Sequence, residues 1–133
     1  MRRQLIIIIL VCTSAINSDF AGFITYEYKD YEHVEYYNIY QIEDKSFFAY
    51  FYSETCAYCK EIKEEILNFA SMQECIYLVK VSNREVLCSY NSGKEEDIYC
   101  IQGTPTLMKI ENNVPILTIV GAQKVLTYIL ENS

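Results

Sequence analysis

Residues 47–52, Phe-Phe-Ala-Tyr-Phe-Tyr, form an unbroken apolar run bounded by Asp44-Lys45-Ser46 on one side and Ser53-Glu54-Thr55 on the other. Such a run reads as a strand covered on both faces, because a half-exposed strand alternates with polar residues. Directly after it come Cys56-Ala57-Tyr58-Cys59-Lys60. Ile62, Ile66, Phe69 and Ala70 then recur at helical spacing, with Lys60, Glu61, Lys63, Glu64 and Glu65 on the other face. A doubly buried strand feeding an amphipathic helix commits the chain to a layered α/β design.

The rest of the chain continues that order. Residues 76–81 read as a second central strand, 83–89 as a short helix and 91–97 as a polar loop. Residues 106–110 and 115–120 are strands flanking Glu111-Asn112-Asn113, a hairpin connection of turn-forming residues. Gly121 breaks the pattern, and Val125, Tyr128 and Ile129 mark a last helix. With 133 residues, 51% of them hydrophobic, and no linker or repeat beyond residue 20, the chain has room for one domain. Residues 24–40 hold six tyrosines among acids, which we expect to pack against the sheet; His33, without a catalytic partner in sequence, is expected at the surface.

The formal charge is −7 and the 11 Lys and Arg form no run. Nucleic acid and anionic membrane surfaces are therefore excluded as partners, since both require a basic patch. A monomer is expected. The first residues depart from this acidic character: Arg2 and Arg3 precede Leu5-Ile6-Ile7-Ile8-Ile9-Leu10-Val11, and small and polar residues follow. That is the layout of a secretory signal, and its apolar core falls short of the ~20 residues of a membrane-spanning helix. Residues 1–18 are thus expected to be a signal peptide or an N-terminal membrane anchor, with a buried strand as the alternative. The expected localisation is extracytoplasmic, secreted or membrane-tethered.

The spacing Cys56-x-x-Cys59 at a strand-to-helix junction lets two sulfurs meet across the first helical turn. Cys56 would lie at the helix N-terminus, where unpaired N–H groups and the helix dipole stabilise a thiolate. Cys59, one turn inside, would be buried and act as the resolving thiol. Lys60 favours the thiolate, whereas Glu54 and Glu61 oppose it. Two other readings of the pair stay open. It could be half a zinc site, although Cys75, Cys88 and Cys100 stand singly and supply no second pair. It could also be an inert staple of a small exported domain. No metal and no cofactor is expected.

Residues 47–62, FFAYFYSETCAYCKEI, resemble the central strand and active-site turn of thioredoxin-like proteins, and Ile101-Gln102-Gly103-Thr104-Pro105-Thr106-Leu107 resembles the cis-proline loop of that family. The resemblance extends over residues 24–131 and implies a thioredoxin-like fold, a central mixed β-sheet flanked by α-helices. It also implies that the Thr104-Pro105 bond is cis and faces the Cys pair, and that backbone groups of Thr104 pair with an extended substrate segment. Pro105 is one of two prolines; the other, Pro115, suits an edge strand. The dipeptide Ala57-Tyr58 is similar to the small-Tyr pairs of exported disulfide isomerases and oxidases. Two departures from the family pattern are evident. Thr55 stands where thioredoxins carry Trp, and Tyr50 replaces the buried Asp of the central strand, so that Lys80 or water is expected to aid proton transfer.

Cys88 and Cys100 flank the polar loop, and their pairing would brace the cis-proline loop; Cys75 with Cys88 is the competing pairing. The leading reading is a thiol-disulfide oxidoreductase with Cys56 as nucleophile, Cys59 as resolving thiol, and Thr104, Pro105, Ala57 and Tyr58 around the substrate. Its partners would be cysteine-containing exported proteins and a membrane redox partner. The alternative is a thioredoxin-like binding or accessory module of the cell envelope with a structural disulfide.

Overall fold

The computed structural model describes residues 26–82, 86–88 and 98–133. The segment 1–18, read above as a signal or anchor, and the polar loop 91–97 lie outside the described residues, as does most of the short helix expected over 83–89. The remaining elements follow the expected order. Strand β1 (Ser46–Tyr52) leads to helix α1 (Ala57–Glu61) and helix α2 (Lys63–Ser71), then to β2 (Ile76–Lys80). The hairpin of β3 (Thr106–Glu111) and β4 (Val114–Val120) precedes helix α3 (Ala122–Glu131). The sheet order is β2-β1-β3-β4, with β1 parallel to β2 and antiparallel to β3, and β4 antiparallel to β3.

The central place of β1 accounts for its uninterrupted apolar sequence. Phe47, Ala49 and Phe51 enter one core, with Tyr77, Val79, Tyr99 and Met108. Phe48, Tyr50 and Tyr52 point to the opposite side, where Cys59, Ile66, Phe69, Val125 and Ile129 of the helices pack. Alternate side chains of a pleated strand leave on opposite faces, so both sets must be apolar when both faces are covered. β4 is the outer strand and its residues are largely exposed or half-buried, which accommodates Pro115 and its missing N–H. Asn112 and Asn113 both take positive φ, 49° and 63°, which the tight β3–β4 turn requires and Asn tolerates.

Two expectations are refined. The helix after Cys59 is interrupted at Ile62 (φ −109°, ψ 10°), a buried β-branched residue, and continues as α2. The tyrosine-rich segment forms short 3-10 turns, Tyr28–Asp30 and Tyr36–Gln41, in place of a regular helical face. Between them, Leu78 N–H donates to Glu32 carbonyl and Val34 N–H to Leu78 carbonyl, so the segment covers the outer edge of β2. Its tyrosines pack on both cores, Tyr36 and Tyr40 on one side and Tyr26, Tyr28 and Tyr31 on the other.

Cys88 and Cys100 form a disulfide across 12 residues, with Cα atoms 4.9 Å apart. Backbone bonds reinforce it: Cys88 N–H donates to Ile101 carbonyl, and Ile101 N–H to Val86 carbonyl. Among the described residues no helix is long and apolar enough to cross a membrane.

Candidate active site

The end of β1, the start of α1 and the loop before β3 meet at the Cys pair. Cys56 is the N-cap of α1, and its sulfur accepts a hydrogen bond from Cys59 N–H at 3.1 Å. An N-cap side chain normally contributes an oxygen to these unpaired amides; here a sulfur occupies that place. Cys56 is half-buried and Cys59 buried, and both are free thiols. The Cys56 thiol also donates to the Thr104 carbonyl at 3.5 Å, which places the Thr104-Pro105 loop against that sulfur. The Thr104-Pro105 bond is cis. The loop is held from behind by Gly121 N–H, which donates to the Pro105 carbonyl at 2.9 Å.

These contacts separate the two thiols electrostatically. Burial opposes ionisation of Cys56, but hydrogen bonds from Cys59, Thr104 and the α1 backbone outweigh it and hold its pKa below the ordinary thiol value. Burial first, and then the bond its thiol gives the Cys56 sulfur, push Cys59 up to about 11. The two sulfurs are thus biased in opposite directions, Cys56 toward thiolate and Cys59 toward thiol, an asymmetry that suits disulfide exchange.

Two of the residues expected around a substrate, Tyr58 and Thr104, border an open groove of about 540 Å³. Gly121 and Lys124 are among the other residues that line it. Ala57 is exposed at the start of α1, and Tyr58 is 63% exposed. Lys80 pairs with Glu54 at 3.0 Å, and Glu54 lines a second cleft, here called the rear cleft, of about 560 Å³, together with Tyr28 and Cys59. Sequence reasoning missed Tyr28. Its ring stacks on Tyr52 with centroids 4.0 Å apart, and its hydroxyl donates weakly to the Cys59 carbonyl at 3.5 Å. A residue 31 positions away from Cys59 carries no sequence signal of that contact. His33 is exposed and nevertheless engaged: Tyr31 carbonyl lies 2.9 Å from Nδ1, which must therefore donate, and Nε2 pairs with the Tyr52 hydroxyl at 2.7 Å. Cys75 lies apart from this site, where its thiol and the Tyr77 hydroxyl both donate to Asp44. Among the described residues no group of three or more His, Cys, Asp or Glu could hold a metal ion.

The fold has many relatives of known structure. Thioredoxin f2 of Chlamydomonas reinhardtii is 19% identical, with a TM-score of 0.53 over 77% of this chain and 95% of its own. Thioredoxin f from spinach chloroplast is 21% identical, with a TM-score of 0.53 over 75% of this chain and 84% of its own. A thioredoxin from Trypanosoma brucei brucei is 19% identical, with a TM-score of 0.51 over 76% and 89%. No curated protein matches the chain significantly in sequence. The sequence model of the thioredoxin-like domain, by contrast, matches residues 35–128, more than two thirds of the chain. A close Cys pair in this fold supports thiol-disulfide oxidoreductase activity. On the strength of that match and of the fold, the chain belongs to the thioredoxin-like family.

Proposed function

We propose that the protein exchanges disulfides with exported, cysteine-containing proteins through Cys56 and Cys59. The observation that carries this reading is the 3.1 Å bond from Cys59 N–H to the Cys56 sulfur, which favours the charged form of the sulfur that attacks. The Cys56 thiolate attacks one sulfur of a substrate disulfide; a Cys56–substrate bond forms, the substrate S–S bond breaks, and a substrate thiolate leaves. Cys59 then loses its proton and attacks the Cys56 sulfur, releasing the second substrate thiolate and closing the Cys56–Cys59 disulfide. Two electrons pass to the substrate, and the reverse sequence oxidises a substrate dithiol.

Thr104 and Pro105 shape the groove in which the substrate segment lies beside Cys56, with Ala57 and Tyr58 on its other margin. Lys80 acts through Glu54, which it holds at the rear cleft. An extracytoplasmic setting is favoured by the Cys88–Cys100 disulfide, a bond that reducing compartments seldom keep, and by the basic-then-apolar opening of the chain. There, a membrane redox partner would restore the pair after each turnover.

Trapping tests the proposal. Cys59→Ser in the full chain should accumulate mixed disulfides through Cys56 with exported proteins, and the unaltered chain should catalyse insulin reduction. No turnover and no trapped partner would overturn it in favour of a binding module.

A further inference from the structure

Among the described residues, the core on the Cys59 side contains one buried side-chain polar atom without a hydrogen-bond partner. Tyr50 is fully buried in the middle of β1, in the same cluster as Cys59, and its hydroxyl has no hydrogen-bond partner among the described residues. Burying an unpaired hydroxyl costs about 1–3 kcal/mol, and Phe at this position would avoid that cost. The ring of Tyr50 is stacked in parallel with Tyr52, 6.2 Å away, and Tyr52 carries the Tyr28 ring on it at 4.0 Å. Tyr28 borders the rear cleft together with Cys59, and its hydroxyl already reaches the Cys59 carbonyl. The Tyr28 and Tyr50 hydroxyls lie close enough to affect each other's ionisation, Tyr50 as donor and Tyr28 as acceptor, yet they are not in hydrogen-bond geometry in the resting dithiol.

We propose that Tyr50 is a positioning residue for the resolving step: its hydroxyl donates to the Tyr28 oxygen, and Tyr28 in turn donates to the charge that develops on the Cys59 sulfur. This rests on the oxidoreductase reading above and assigns the proton chemistry of its second half. Burial keeps both phenols protonated, so toward the Cys59 sulfur they can offer only a hydrogen bond and neither can act as the base. The Cys59 proton therefore passes to water in the rear cleft, and the thiolate left behind attacks the Cys56 sulfur. The groups facing Cys59 are Cys56 at the helix cap, Tyr28 from the first 3-10 turn and Tyr50 from β1. At the cleft stand Glu54, held by Lys80, with Lys29 and Lys60, and Lys63 paired to Glu27. A chain of two donors polarises the second, so the pair acts more strongly than Tyr28 alone.

The test uses the full chain in a Cys12→Ser, Cys75→Ser background and a symmetrical aromatic nitrobenzoate disulfide as substrate. The first coloured thiolate reports attack by Cys56, and the second reports resolution by Cys59. In Tyr50→Phe the first release should be unchanged, while the second slows about tenfold and its pH midpoint rises by about one unit, a tenfold change in ionisation. Tyr28→Phe should slow the same phase, and the double variant should be no slower than the slower single one. Removing an unsatisfied hydroxyl should leave the Tyr50→Phe denaturation midpoint unchanged or higher, which a merely structural tyrosine would not do. An unchanged second release in Tyr50→Phe, or independent additive slowing in the double variant, overturns the proposal. A starting chain that releases only one equivalent overturns the oxidoreductase reading itself, and this inference with it.

Discussion

The backbone N–H of Cys59 points at the sulfur of Cys56 across the first turn of α1, 3.1 Å away, so the residue proposed to resolve the mixed disulfide also favours negative charge on the residue proposed to form it. The helix that buries Cys59 against Tyr50 and Leu107 thereby exposes Cys56 with an oriented donor beside it.

Reactivity of the two thiols should separate with pH. Thiolate is the nucleophile, so alkylation falls as pH drops through each pKa. Cys56, held below the ordinary thiol value, should still react with iodoacetamide at pH where free cysteine does not, whereas Cys59 should stay silent until pH approaches about 11. The same shifts act on stability with opposite sign in the reduced protein. The Cys56 contribution is present above the unfolded thiol pKa and is lost as pH falls through its depressed value. The Cys59 contribution is present below the unfolded pKa and is lost as pH rises toward about 11. Mass spectrometry of the two alkylated peptides across a pH series is the check; equal rates at all pH would contradict the arrangement.

Cys88→Ser with Cys100→Ser should lower stability by about 3 kcal/mol, the chain-entropy value for a loop of this size. Urea unfolding, compared with the unaltered chain with and without reductant, reads the loss. Part of it should appear as slower exchange with protein substrates, because the disulfide and the Cys88–Ile101 backbone bond anchor the segment that enters the Thr104-Pro105 loop.

Asp44 accepts from the buried Tyr77 hydroxyl at 2.6 Å and from Cys75 at 3.2 Å, far from the Cys56 site in the fold. Asp44→Ala strands the Tyr77 hydroxyl and should cost about 1–3 kcal/mol. Tyr77→Phe, which removes the other partner, should cost less. Exchange activity per folded molecule should stay unchanged in both, as measured by insulin reduction; a matched loss of activity would link this cluster to catalysis.

Gly121 has φ 97° and ψ 146°, a region that side-chain-bearing residues avoid, although nothing lies within 4 Å of where a Cβ would stand. Gly121→Ala should therefore destabilise the fold by about 1–3 kcal/mol through backbone conformation alone. Because Gly121 N–H holds the Pro105 carbonyl, the substitution should also weaken substrate capture more than it alters Cys56 alkylation. A stability unchanged in thermal unfolding would refute the strain.

Much of this protein is legible in one dimension. The unbroken run at residues 47–52 announced a central strand because no other position in a sheet tolerates six apolar side chains in succession. Cys56-x-x-Cys59 with its following helical stripe placed the chemistry at that strand's end, since both signals are periodic and local. The tyrosines were another matter. Residues 24–40 showed an aromatic cluster without a regular period, and nothing there distinguished Tyr28, beside Cys59, from Tyr37, which is 62% exposed.

The amino-acid sequence by itself determined the α/β order, the reactive cysteine pair and the Thr104-Pro105 motif, because strand burial, helix amphipathicity and short motifs are written between neighbours. Only the tertiary structure decided which groups surround the sulfurs. The Thr104 carbonyl at Cys56, Tyr28 at Cys59, the Gly121 tie to Pro105 and the unpaired Tyr50 hydroxyl all arise from residues far apart in the chain, brought together by packing on the two faces of β1. Contacts of that kind depend on the register and twist of the whole sheet, which no local pattern encodes.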